Sequence, residues 1–187
     1  MTTIVGIDPG LDGGIAILND EREPELHAMP TVKTGKGKGN AREVDVMALR
    51  GLLLRASPGL VVIEEQKFTP NIPIKKAPGF PATRFASGGK GNFTKGQVYG
   101  TLCTAVAMLL LPYQVVMPKR WQKLFGFTSG NTKEQSIATC LRLFPGINLK
   151  RTAKCKNLHD GMADALLIAE YGRRRTLPFF RRDRSEA

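Results

Sequence analysis

Four acidic residues stand directly against apolar runs, where acids are uncommon unless they are paired or used. Asp8 closes the run TIVGID, Glu64 closes LVVIE, and Asp160 and Asp164 lie within HDGMADALLIAEYG. The last two are four residues apart, which puts them on one face of a helix. Neighbouring strands would bring Asp8 and Glu64 side by side at their ends, and a helix packed across that edge would add the two aspartates. Three or four carboxylates around one point cannot all stay ionised without compensation. Hard divalent cations supply it, and an oxygen-only donor set suits Mg²⁺ or Mn²⁺ over zinc. Two such ions about 4 Å apart would clamp a phosphodiester, one generating hydroxide and the other stabilising the leaving 3′ oxygen. No histidine or cysteine nucleophile is needed, in keeping with a chain whose only histidines are His27 and His159. Taken singly, each acid also has a plainer reading, as a turn or helix cap or as solvated surface. Glu65 follows Glu64 and points to the other face of a strand, so the choice between the two stays open at this level.

Positioning those acids requires strands that end together and a helix across them. Thr3–Asp8 reads as a buried strand ending at a Pro-Gly turn, Gly13–Leu18 as its hairpin partner, and Glu25–Met29 as a short third strand. Glu43–Ala56 has helical spacing and stops at Ser57-Pro58-Gly59, and Leu60–Glu64 reads as a strand covered on both faces. Gly96–Leu111 reads as a buried helix closed by Pro112, Tyr113–Met117 as another buried strand, and Thr132–Phe144 and His159–Arg173 as the last helices. The order predicts an α/β fold: one five-stranded mixed sheet flanked by helices on both faces. Residues 1–175 form one domain in this reading, with a long basic loop at 67–95 and a basic tail at 176–187.

The charge distribution points to a polyanion. The chain of 187 residues carries 28 Lys and Arg against 16 Asp and Glu, a net +12. Lys33, Lys36, Lys38 and Arg42 lie in residues 33–42, and Lys67, Lys75, Lys76, Arg84, Lys90 and Lys95 lie in 67–95, neither segment containing an acid. Six arginines against Asp183 and Glu186 follow from residue 173. These segments hold more than the whole net charge, leaving a remainder that is close to neutral on average. In 67–95 the cations are interleaved with Phe68, Phe80, Phe85 and Phe93, a pattern suited to stacking on unpaired bases. Lys119, Arg120 and Lys123 add a further basic cluster that could touch DNA. A hydrophobic content of 42% supports a real core, and no apolar run approaches the ~20 residues of a membrane span. Cys103, Cys140 and Cys155 are far apart and fit reduced thiols. With no secretory signal at MTTIVGIDPG, the expected location is the cytoplasm of a bacterial cell or phage-infected host, or an organelle after removal of a transit peptide.

In that order and spacing, IVGIDPGLDGGIAIL, VVIEEQKF, FTKGQVYG and HDGMADALLIAEYG resemble the RuvC-type Holliday junction resolvases, most of all the branch with phage and plant chloroplast enzymes. The resemblance runs over roughly residues 3–173. It implies an RNase H-like fold, a homodimer, and Mg²⁺-dependent nicking of two opposed strands of a four-way junction, with two ions per site. Asp8, Glu64 and Asp164 match the family's metal-binding carboxylates, and Asp160 falls where relatives carry a second Asp or a His. Lys133 matches a lysine near the scissile phosphate, and Phe68 an aromatic that wedges into the junction. Gly96, Gln97 and Gly100 match a helix of the dimer interface. Two other readings stand beside this one: a junction-binding scaffold with weak catalysis, and an RNase H-like nuclease acting on flaps or RNA–DNA hybrids.

Overall fold

The computed structural model describes residues 2–35, 41–67 and 88–175, with side chains in the last stretch from residue 91. Phe68, Lys75, Lys76, Arg84 and the tail 176–187 lie outside the described residues, as does the side chain of Lys90.

Five strands form one mixed sheet: β1 (Ile4–Asp8), β2 (Gly14–Leu18), β3 (Glu25–Ala28), β6 (Leu60–Glu64) and β7 (Tyr113–Val116), in the order β3-β2-β1-β6-β7. Between them come β4 (Thr31–Lys33) and β5 (Arg42–Val44), which pair only with each other. The helices are α1 (Val46–Ala56), α2 (Gly88–Met108), α3 (Pro118–Leu124), α4 (Thr132–Leu143) and α5 (Asp160–Arg175). β1 runs antiparallel to β2 and parallel to β6, and β6 runs parallel to β7.

Alternation along the strands divides the core into two layers. Val5, Ile7, Ile15, Ile17, Val61 and Ile63 pack with Leu49 and Leu53 of α1 and with Val98, Leu102 and Val106 of α2. Ile4, Ala16, Leu18, Leu60, Val62 and Val116 face the other way, toward Met162–Ala169 of α5, Trp121 of α3 and Cys140 of α4. The expected α/β architecture is therefore present, with helices on both faces of a five-stranded sheet.

Three local expectations need correction, and one helix is additional to them. The helix expected from Gly96 begins at Gly88 and ends at Met108, so Lys90 and Lys95 belong to helix backbone and not to a loop. Glycines cost about 1 kcal/mol each in a helix, which makes GGKGNFTKG read as loop; Val98, Leu102 and Val106, four residues apart and buried, anchor the part of α2 that follows. The strand after it, expected to be buried, is an edge strand with Tyr113 and Val115 exposed, because β7 has a neighbour on one side only. An apolar run does not say whether both faces are covered. The helix expected from Glu43 starts at Val46, because Asp45 caps it by accepting from the Ala48 amide at 2.9 Å, while Arg42–Val44 pairs with Thr31–Lys33. Finally α3 was not anticipated; Pro118 opens it and Trp121 buries its inner side.

Candidate active site

The parallel register of β1 and β6 pairs Gly6 with Val62 and Ile7 with Ile63. One residue further, that register sets Asp8 level with Glu64. Both belong to the set of positions facing α5, since Ile7 and Ile63 face α1 and α2. The helix reaches them because the strands offer it backbone instead of side chains. A Cβ on Gly6 would collide with the Ala165 carbonyl and the Ala169 amide, and one on Gly14 would lie 2.5 Å from the Gly161 carbonyl. Gly161 in turn leaves no room, since its own Cβ would lie 2.7 Å from Gly13 Cα. The first turns of α5, with Asp160 and Asp164, are thus pressed onto the ends of β1 and β2.

At the other side, the Asp8-Pro9-Gly10 turn closes with the Gly10 amide donating to the Asp8 carbonyl at 3.0 Å. His159 caps α5, its Nδ1 accepting from the Met162 amide at 3.2 Å. Lys133, at the start of α4, places Nζ 2.6 Å from Asp160 Oδ2. The five residues singled out from the sequence therefore share one neighbourhood.

Their electrostatics are those of a crowded anionic pocket. Burial pushes Asp8 well above the usual carboxylate range, and Asp164, Glu64 and Asp160 push it the same way, while Lys133 opposes them. Glu64 is pushed up to about 7 by burial, against the hydrogen bond it accepts from Trp121, with Asp164 adding to the rise. Asp164 is pushed up to about 6 by burial, with the Ser136 hydroxyl opposing and Asp160 contributing. Burial acts upward on Asp160 too, but the Lys133 hydrogen bond and charge hold it below its ordinary value. At neutral pH the cluster is therefore short of positive charge.

Two residues of the site carried no functional weight in the sequence. Trp121 Nε1 donates to Glu64 Oε1 at 2.8 Å, and its ring meets Phe127 edge-on with centroids 5.4 Å apart. Ser136 donates its hydroxyl to Asp164 Oδ1 from a fully buried position on α4. The signals were faint: a single Trp among Lys and Arg, and a Ser on the apolar side of an amphipathic helix. Glu65 takes the opposite face, where its charge acts on Tyr99 of α2, and its Oε2 is buried with no hydrogen-bond partner among the described residues. It is Glu64 that couples to Asp8 and Asp164.

Lys67 is exposed three residues beyond Glu64, and Lys119, Arg120 and Lys123 are exposed on α3 around the inward Trp121. Lys95 is exposed on α2, in the layer on the other side of the sheet from α5.

No family model and no curated protein matches this chain. Among solved structures, it is similar to Thermus thermophilus RuvC in complex with a Holliday junction substrate, at a TM-score of 0.57 and 18% identity over 94% of this chain and 97% of that one. The fold is RNase H-like. Similarity to a second T. thermophilus RuvC structure gives a TM-score of 0.49 at 19% identity, over 93% and 97% of the two chains. Similarity to the yeast mitochondrial Holliday junction resolvase Ydc2 gives 0.46 at 15%, over 89% and 75%.

The RNase H-like sheet explains why the acids converge: β1 and β6 end together and α5 crosses them. As a donor set, Asp8, Glu64, Asp160 and Asp164 suit a hard divalent cation, being oxygen-only and mutually repelling. Three of them rest on donors of their own, Trp121, Ser136 and Lys133. In that arrangement, no three His, Cys, Asp or Glu side chains among the described residues stand close enough to hold a metal ion.

Proposed function

We propose that this protein is a structure-selective DNA endonuclease that resolves four-way junctions by paired symmetric nicks, within the RuvC-type group and near its phage and chloroplast branch. The observation that carries the reading is the meeting of Asp8, Glu64 and Asp164 at one end of an RNase H-like sheet, with each carboxylate raising the proton affinity of Asp8. Bound Mg²⁺ or Mn²⁺, two ions per site, would supply charge neutralisation and an activated water for phosphodiester hydrolysis.

The remaining roles fall to the chain's own residues. Asp8, Glu64, Asp160 and Asp164 would hold the cations. Trp121 and Ser136 orient Glu64 and Asp164 through single hydrogen bonds. Lys133, about three-quarters exposed, can turn from Asp160 toward a phosphate and offset its charge. Lys67, Lys95, Lys119, Arg120 and Lys123 are exposed cations for the backbone of branched DNA; Phe68 as a junction wedge, and Lys75, Lys76, Arg84 and Lys90 as DNA contacts, extend the same proposal. A four-way junction has approximate two-fold symmetry, so two opposed cuts favour a homodimer with one site per subunit.

The deciding experiment is cleavage of a synthetic four-way junction with Mg²⁺ present or chelated, beside linear duplex, flap and RNA–DNA hybrid controls. Metal-dependent, symmetric cutting of the junction alone is the expected result. Preference for the hybrid or flap would replace this reading with another nuclease of the same fold, and tight junction binding without cutting would leave a scaffold.

A further inference from the structure

The connection between α4 and α5 is a built loop with an unusual charge. Leu149 is buried in the core layer beneath α5, and its carbonyl accepts from the His159 amide at 2.8 Å. Residues 149–159 therefore leave and return at one point. Compact surface loops of about this length with joined ends frequently carry function. The loop is also braced internally: the Lys150 amide donates to Asn148 Oδ1 at 3.0 Å, the Cys155 amide donates to the Thr152 carbonyl at 3.0 Å, and Thr152 Oγ1 lies 3.2 Å from Cys155 Sγ.

Lys150, Arg151, Lys154 and Lys156 are all exposed on it. The sequence holds no acid from Gln135 through His159, and none of the four cations pairs with an acid among the described residues. Averaging over the chain outside the three obvious basic segments conceals this cluster. Its place is specific: the loop ends at His159, immediately before Asp160, and the charges of Arg151, Asp160 and Lys133 all act on the His159 ring.

We propose that loop 149–159 is a phosphate-binding rim that grips the DNA backbone beside the bond cut at the carboxylate cluster. This rests on the nuclease reading for the identity of the ligand. A phosphodiester approaching four carboxylates meets repulsion, and cations fixed at the edge of the pocket offset it on approach. Solvation alone does not call for a braced loop. Ordering these cations in advance lowers the entropy lost when they grip a phosphate.

The test replaces all four cations together, Lys150→Gln, Arg151→Gln, Lys154→Gln and Lys156→Gln, in the full chain. Binding to a four-way junction and to linear duplex is measured over a salt series, with a chelator present so that nothing is cut. Each lost phosphate contact lowers the slope of log K against log salt by about 0.9, so a fall of up to about 3 to 4 is expected. Affinity at about 0.1 M salt should drop at least about tenfold on both DNAs. A slope and affinity equal to those of the unaltered protein overturn the rim. If the quadruple variant fails to melt cooperatively, Arg151→Gln and Lys154→Gln singly should each lower the slope by about 0.9, and no change in either overturns it. Cys155 provides a positional check, since a junction with disulfide-activated tethers on phosphates near the cut should capture it. Capture lost in Cys155→Ser supports the rim, and no capture from any such phosphate counts against it. Because these readouts are binding, failure of the unaltered protein to cut junctions would overturn the resolvase reading and leave the rim standing.

Discussion

The two faces of the central sheet are packed by different means. Toward α1 and α2, branched side chains fill the space: Val5, Ile7, Ile15 and Ile17 against Leu49, Leu53 and Leu102. Toward α5, backbone approaches backbone at Gly6, Gly14 and Gly161, and Gly172 would put a Cβ 2.6 Å from Val62 Cγ2. A side-chain layer tolerates repacking as long as volume is kept. A glycine seam has no such slack, because the only adjustment open to it is movement of the helix. The acids lie on the seam face. Side chains that must meet at one point are carried by the packing that can shift least.

Breaking the site itself should give the largest effect. Asp8→Asn and Asp164→Asn are expected to lower junction cleavage about a thousandfold or more, while junction binding in chelator stays equal or tightens as negative charge leaves the pocket. Cleavage by either variant within tenfold of the unaltered rate would remove these residues from the mechanism. Glu64→Gln should behave alike and Glu65→Gln should not, since only Glu64 shares the α5 face.

Next comes the seam. Gly6→Ala forces α5 away from β1, and displacement of about 1 Å costs roughly a hundredfold in rate. Overpacking of this kind destabilises by about 1–3 kcal/mol or more. Kinetics on the folded variant, with circular dichroism to confirm folding, separate the two consequences. A stable variant with unaltered rate would show that the seam does not position the carboxylates.

The opposite face should respond the other way round. Leu53→Ala removes a fully buried side chain from the α1 layer, at a cost of about 2–5 kcal/mol. Cleavage per folded molecule should stay within about twofold, read from initial rates normalised to the folded fraction. A large rate loss would mean that both faces position the site.

The effect with least bearing on the rate is in pH dependence. Glu64 rises from its ordinary 4.5 to about 7, and Asp164 from 3.8 to about 6. Raised acids bind protons more tightly in the folded chain, so without divalent cation stability should fall as pH climbs from about 4 to 7. Mg²⁺ should reverse the loss at the upper end and have little effect below pH 4. Melting curves with and without Mg²⁺ test this, and a Tm independent of pH in chelator would contradict a crowded anionic cluster.

Much of this was legible in the residues. Continuous apolar runs ending in acids mark β1 and β6, and the four-residue step from Asp160 to Asp164 fixes a shared helix face. Glycine-rich composition hid the first turns of α2, because propensity argued for loop where the chain is helical. The edge position of β7 was equally hidden, since Tyr113–Val116 reads the same in the centre of a sheet as at its border. Trp121 and Ser136 were invisible as site residues because their partners are far along the chain, Glu64 and Asp164. The basic loop 149–159 escaped because its cations were averaged into a neutral remainder.

By itself, the sequence determined the class of fold, which acids stand against apolar runs and the sign of the chain's own net charge. Those depend on periodicity, residue type and net charge, which are local or additive. The tertiary structure decided which of two adjacent glutamates joins the cluster, which donors hold the carboxylates, and that a loop of cations stands beside them. Such choices depend on strand register and on the closeness of α5 to β1, quantities set by contacts between residues well separated in the chain, as between Ile4 and Leu60 or Gly6 and Ala165.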